Sequence, residues 1–207
     1  MSRITFVSPY RDLTPLVRSV IDEMGIDVDV IEGIMGADGW LQDYNQPLGA
    51  QDLVLGDVVV SRGGTAFYLA QNLKCPVVTV NTGPFDILEC CAEAKQYSSN
   101  IVITSFKKMV GLNLIEETLG VTITELVITT IPELEKQIVR LAQEGNYCVV
   151  GGGASVLYAK QYGVPSVFLH TSRETIREAL LRAEELAQLH YEEKRRASRL
   201  AAILECA

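Results

Sequence analysis

Two short runs carry the residue types best suited to holding a ligand, Arg62-Gly63-Gly64-Thr65 and Gly152-Gly153-Ala154-Ser155. Each follows an apolar strand and opens a helix. A glycine turn of this kind leaves backbone N–H groups aimed at open space, where the helix N-terminus favours negative charge. The first run adds a guanidinium, able to fork onto a carboxylate or phosphate, and a hydroxyl. The second offers backbone donors and a hydroxyl without a charge. Two further strand ends, Ser8-Pro9-Tyr10-Arg11 and Ser105-Phe106-Lys107, bring a cation each. The chemistry implied is the grip of a small anion. The alternative for the same residues is that the glycines serve only close helix–strand packing and that Arg62 is solvated.

Sharper chemistries fail on single residues. A dinucleotide fingerprint needs glycine where Val156 stands, and no Walker lysine follows either turn. Ser8-Pro9 and Ser61-Arg62 occupy the places where a phosphoacceptor receiver domain carries its acidic residues. A thiol racemase needs one cysteine at a strand end in each half, with its pKa depressed. Cys75 and Cys148 lie at the wrong ends of their strands, and Cys90-Cys91 fall within a helix. His170 and His190 are the only histidines, and neither stands at metal spacing from a cysteine or paired carboxylates. No catalytic pair, metal site or cofactor is expected.

The elements that position the two runs repeat. With the second copy set 89 residues after the first, Val60 meets Val149, Gly63 meets Gly152, Gly64 meets Gly153, Ala70 meets Ala159 and Pro76 meets Pro165. Upstream, Ile4-Thr5-Phe6-Val7-Ser8 resembles Ile101-Val102-Ile103-Thr104-Ser105. Each leads to a helix ended by a glycine, Gly25 or Gly120, at the expected left-handed cap. Strands are predicted near 3–8, 26–31, 57–61, 77–80, 100–105, 121–127, 147–151 and 165–169. Helices are predicted near 12–24, 65–73, 85–97, 107–119, 132–144 and 154–162, with a last one running from Arg173 almost to the end. This alternation reads as α/β with mainly parallel sheets, two lobes born of an internal duplication, and a ligand cleft shared between them.

The first lobe is expected over 1–82, completed by part of 172–190, and the second over 83–171. The boundary is placed at Asn81-Thr82-Gly83-Pro84, with Pro84 in the first turn of a helix. Segment 33–52 is broken by Gly33, Gly36, Gly39, Pro47 and Gly49 and holds the only tryptophan, Trp40. It reads as a long surface loop, the alternative being a flap over the cleft.

Composition narrows the partners. With 18 basic against 26 acidic residues the formal charge is −8, which opposes a nucleic-acid grip in this stretch. No apolar run approaches membrane-spanning length, and the N-terminus lacks a secretory signal. Five cysteines without framework spacing fit a reducing cytoplasm. In the last helix, Ala179, Ala183, Leu186, Ala197, Leu200 and Leu204 recur at 4-3 spacing, with His190 and Glu193 in the seam. That pattern fits a helix pairing two copies, or an ordinary amphipathic helix. The end at Leu204-Glu205-Cys206-Ala207 carries no capping signal and reads as a cut.

The run Asp57-Val58-Val59-Val60-Ser61-Arg62-Gly63-Gly64-Thr65-Ala66 resembles the signature of the N-terminal sensor domain of propionate-catabolism activators, which are sigma-54-dependent transcriptional regulators. The likeness continues through Phe85-Asp86-Ile87-Leu88, Ala92-Glu93-Ala94-Lys95, Val149-Val150-Gly151-Gly152-Gly153 and Ser172-Arg173-Glu174-Thr175-Ile176-Arg177-Glu178-Ala179. It implies a two-lobed Rossmann-like receptor that binds a small effector, with tricarboxylates such as methylcitrate as the family's effectors. It also implies further domains beyond residue 207: a PAS domain, a AAA+ ATPase acting on sigma-54 polymerase, and a DNA-binding helix-turn-helix. The stretch 172–207 would be the linker helix toward them, with Arg199-Leu200-Ala201-Ala202-Ile203-Leu204-Glu205 entering the PAS domain. Segment 33–52 departs from the family pattern of a regular helix there.

The reading is a non-enzymatic sensor. Its small organic anion would meet Ser8, Tyr10, Arg62, Gly63, Gly64, Thr65, Ser105, Phe106, Lys107, Gly152, Gly153, Ala154 and Ser155. The competing readings are a racemase- or lyase-like enzyme on the same scaffold, and a purely dimerising module.

Overall fold

The computed structural model describes residues 3–32 and 55–205, without the side chains of Arg11 and 200–205. The expectations for segment 33–52 and for Cys206 and Ala207 therefore lie outside the described residues. The chain divides into two compact units, Met1–Asn81 with Arg173–Ala207, and Thr82–Ser172.

The first unit holds β1 (Ile4–Ser8), a 3-10 turn (Arg11–Leu13), α1 (Thr14–Met24), β2 (Val28–Glu32), β3 (Val58–Arg62), α2 (Gly63–Asn72) and β4 (Val77–Val80). The second holds α3 (Pro84–Ala94), β5 (Asn100–Ser105), α4 (Leu112–Leu119), β6 (Thr122–Val127), α5 (Ile131–Glu144), β7 (Cys148–Gly151), α6 (Gly153–Gln161) and β8 (Ser166–Phe168). The sheets run β2-β1-β3-β4 and β6-β5-β7-β8, the same order twice. All pairings are parallel, with Phe6 opposite Val60 in one sheet and Ile103 opposite Val150 in the other. The architecture is two Rossmann-like α/β lobes with a long C-terminal helix.

Central strands of parallel sheets are covered on both faces, so they read as unbroken apolar runs. Val58, Val59 and Val60 are fully buried, as are Cys148, Val149 and Val150. Alternation sorts the faces. Ile4, Phe6, Val58 and Val60 meet α1 and α7 (Arg173–Glu205), while Val7 and Val59 meet Leu69 of α2. In the second unit Ile101, Ile103, Cys148 and Val150 share a core with Ile87, Cys90 and Cys91 of α3 and Ile115 of α4. Gly25 and Gly120 both end their helices at φ 63, the left-handed cap that a side chain would strain. Pro84 takes the first turn of α3, where Gly83 N donates to Asp86 Oδ2 at 2.9 Å.

One helix starts later than its pattern predicts. A helix was expected from 107, but residues 106–111 form an irregular turn and α4 begins at Leu112. Glu125, on β6, reaches across to this turn. Its Oε1 accepts from Met109 N at 2.5 Å and from Ser105 Oγ at 3.3 Å, holding the backbone out of helical register.

α7 is 33 residues long, about 50 Å at 1.5 Å per residue. Ile176, Ala179, Leu180, Ala183 and Ala187 are buried in the core of the first unit. Their spacing is the stripe of a helix laid on a sheet. Ala179 and Ala183, two of the residues in the expected pairing seam, are thus spent within the unit. Arg173 and Arg177 pair with Glu23 of α1. Lys194 pairs with Asp57 at 2.5 Å, and that contact, with the Arg3 backbone N–H, holds the Asp57 carboxyl below the usual aspartate range.

Candidate functional site

In the first unit the chain leaves β1 toward β2 on one side and leaves β3 toward β4 on the other. The carboxyl ends of β1 and β3 therefore flank a topological switch point, the place where open α/β sheets bind ligands. Carrying the Phe6–Val60 register two residues on brings Ser8 level with Arg62. Ser8 Oγ donates to the Tyr10 carbonyl and accepts from Thr14 Oγ1, both at 3.0 Å. Ser61 Oγ donates to the Val7 carbonyl at 2.8 Å, tying the two strands together just below the edge.

Arg62 is only 7% exposed. Its Nη1 donates to Tyr10 Oη at 2.6 Å, and its guanidinium carbon lies 5.8 Å from the Tyr10 ring centre. Two predicted site residues 52 positions apart are thus brought into contact. Arg62 is also the N-cap of α2, in extended conformation, and its side chain gives the first turn no hydrogen bond. Gly63 follows at φ 55, a left-handed geometry that only glycine adopts without strain. Gly64 is buried, and so is Thr65, 2% exposed, whose Oγ1 has no hydrogen-bond partner.

The second unit repeats the switch point between β5 and β7 with different chemistry. Ser155 Oγ and Thr104 Oγ1 share a hydrogen bond of 2.6 Å, and Thr104 Oγ1 also donates to the Val150 carbonyl at 3.4 Å. Ser155 therefore faces the sheet, and its hydroxyl is committed there. Gly151 makes this pairing possible, because a Cβ at that position would stand 2.1 Å from Thr104 Oγ1. At Gly152 and Gly153 an added Cβ would meet nothing within 4 Å, and α6 has no side-chain cap. These two glycines face open space. Ala154 is buried. Ser105 is bound to the Glu125 carboxylate, which places a negative charge at the end of β5 and opposes an anion there. Phe106 is half-buried and Lys107 exposed. Arg11 opens the 3-10 turn, and its side chain lies outside the described residues.

A family model described as Propionate catabolism activator matches residues 53–193. The chain belongs to that family. It is a regulatory sensor domain.

Among solved structures, the sensor domain is similar to an NtrC family transcriptional regulator from Clostridium acetobutylicum. The two are 22% identical with a TM-score of 0.74, over 91% of this chain and 97% of that one. That likeness shows the fold. A conserved domain protein from Vibrio cholerae matches at 14% identity and TM-score 0.42, over 99% of this chain and 85% of that one. The transcription regulator CcpA of Lactococcus lactis matches at 11% and 0.40, over 91% and 92%. Scores this low carry no argument.

Burial holds the four described thiols of the sensor domain toward their neutral form. Burial pushes the Cys91 thiol up to about 12 and Cys148 up to about 11, with smaller upward contributions from neighbouring charges. Cys75 and Cys90 are raised by burial too. A thiol acid–base pair needs the opposite shift. No group of three metal-ligating side chains occurs among the described residues, and no helix there is long and apolar enough to cross a membrane.

Thr14, Thr104 and Glu125 shape the two strand-end regions without having been singled out from the sequence. Thr104 stands next to Ser105, on the other face of its strand, and Glu125 is the one carboxylate inside the strand Thr122-Ile123-Thr124-Glu125-Leu126-Val127. Those are the signals that could have found them.

Proposed function

We propose that this sensor domain belongs to a sigma-54-dependent regulator and recognises a small organic anion, carboxylate or phosphate. The observation that carries this reading is the cluster at the first switch point, where a buried Arg62 is held against Tyr10 at the open N-terminus of α2. A helix N-terminus with no capping side chain has N–H groups to give, and a guanidinium beside it deepens the preference for negative charge.

The signal leaves through α7. That helix enters directly after Ser172, the last residue of the second unit, and is built into the core of the first. An effector that favours one arrangement over another therefore acts on the hold of α7, and only by its difference in affinity between the two. Pairing of two copies through α7 draws on the helix beyond Ala187. The ATPase and DNA-binding activities belong to domains following this one, and the protein works in the cytoplasm.

Calorimetric titration with methylcitrate tests the reading. The Arg62→Ala variant is expected to bind about 10- to 100-fold more weakly, the loss of a charge-assisted contact, while losing some stability with the buried contact to Tyr10. Undiminished binding by Arg62→Ala removes the anion site from this turn.

A further inference from the structure

The two turns look like copies in sequence, yet the structure leaves one hydroxyl unspent. Thr65 aligns with Ala154 in the repeat, and Ala66 aligns with Ser155. In the second unit the hydroxyl sits one position later and closes onto Thr104. In the first unit it sits at the third residue of α2 and closes onto nothing.

A buried hydroxyl without a partner is unfavourable relative to one that is satisfied. Buried polar side chains are nearly always paired, so an exception in a native fold calls for a reason. Helical Cα–Cβ bonds tilt toward the N-terminus, which leans Thr65 toward the first turn of α2. The N–H groups of that turn receive nothing from their N-cap side chain. The orphan hydroxyl and the uncapped first turn thus belong to one stretch of α2, directly after Arg62 and its contact with Tyr10.

From this adjacency we infer that Thr65 is the specificity-determining contact for the effector's oxyanion, and that the charged group is read in the first unit alone. Thr65 Oγ1 donates to one oxygen, and the backbone N–H groups of the α2 turn donate to the same or a second oxygen. The group recognised is an oxyanion with at least two acceptor oxygens, carboxylate or phosphate. The second unit is unsuited to it, with Ser155 committed to Thr104 and the Glu125 carboxylate fixed beside Ser105. This inference rests on the sensor reading above and assigns the roles within it.

The test exploits an opposition between stability and binding. Thr65→Val keeps nearly the same shape and removes the unpaired hydroxyl, so the effector-free variant is expected to melt at or above the parent temperature. Binding is expected to weaken about 10- to 100-fold, the loss of one hydrogen bond to a charged group. Thr65→Ser keeps the hydroxyl and is expected to bind within about threefold of the parent. Titrations use acetate, succinate, citrate and inorganic phosphate as probes, and the arm that binds tells carboxylate from phosphate.

Parent-like binding by Thr65→Val, with Arg62→Ala still weakened, overturns the role of Thr65 and leaves the sensor reading standing. Weakened binding accompanied by a lower melting temperature also overturns it, since that marks a packing role. Failure of the parent to bind any of the four probes at millimolar concentration overturns both.

Discussion

Leu180→Ala is expected to lower the stability of the protein by about 3 kcal/mol, within the range for truncating a fully buried leucine. Leu180 is completely buried and sits with Ile176 among Phe6, Val17, Val60 and Val80 in the core of the first unit. Among the described residues of α7 little compensates, because the remaining core residues are mostly alanines with little surface to bury. Leu181 is its control: one position on, 48% exposed, and expected to cost about 0.5 kcal/mol or less on truncation to alanine. Urea denaturation of the two variants checks the difference. Since α7 carries the proposed output, Leu180→Ala is also expected to blunt any effector response while leaving Arg62 and its turn in place. Equal stabilities for the two variants would mean that α7 is not anchored where the fold places it.

The three glycines at the second turn separate just as sharply. Gly151→Ala puts a Cβ 2.1 Å from Thr104 Oγ1 and 2.7 Å from Ser155 Cβ. Thr104 can yield only by abandoning its bonds to Ser155 and the Val150 carbonyl, both buried. Overpacking and the lost hydrogen bonds together are expected to cost about 3 kcal/mol. Gly152→Ala and Gly153→Ala meet no atom within 4 Å and require no left-handed backbone. Each is expected to stay within about 0.5 kcal/mol of the parent, and the reduced freedom of the unfolded chain offers a small gain. Thermal or chemical melts of the three variants decide it. A tolerated Gly151→Ala would contradict the packing described for β7 against β5.

That contrast also marks the limit of what the sequence shows. The repeat is legible because both units bury the same strands, so Val58-Val59-Val60 and Cys148-Val149-Val150 had to be apolar throughout. Gly25 and Gly120 were legible because a left-handed cap leaves few alternatives to glycine. Gly151, Gly152 and Gly153 are indistinguishable as letters, and only the neighbours of each Cβ tell packing from open space. The fate of a hydroxyl is likewise set across the sheet: Ser155 is answered by Thr104, 51 residues away, and Thr65 by nothing. The pair Lys194–Asp57, separated by 137 residues, had no local signal at all. Arg62 and Tyr10 were each marked by lying at a strand end, but their contact depended on β1 and β3 being neighbours.

Amide hydrogen exchange, followed residue by residue with and without a saturating probe oxyanion, tests the central idea most directly. If α2 receives the charge, the N–H groups of Gly63, Gly64 and Thr65 slow by at least about tenfold, one donated hydrogen bond's worth of protection. Unchanged exchange at all three, with protection gathered instead at Ser105 to Lys107, would place the anion beside Glu125 and contradict the account.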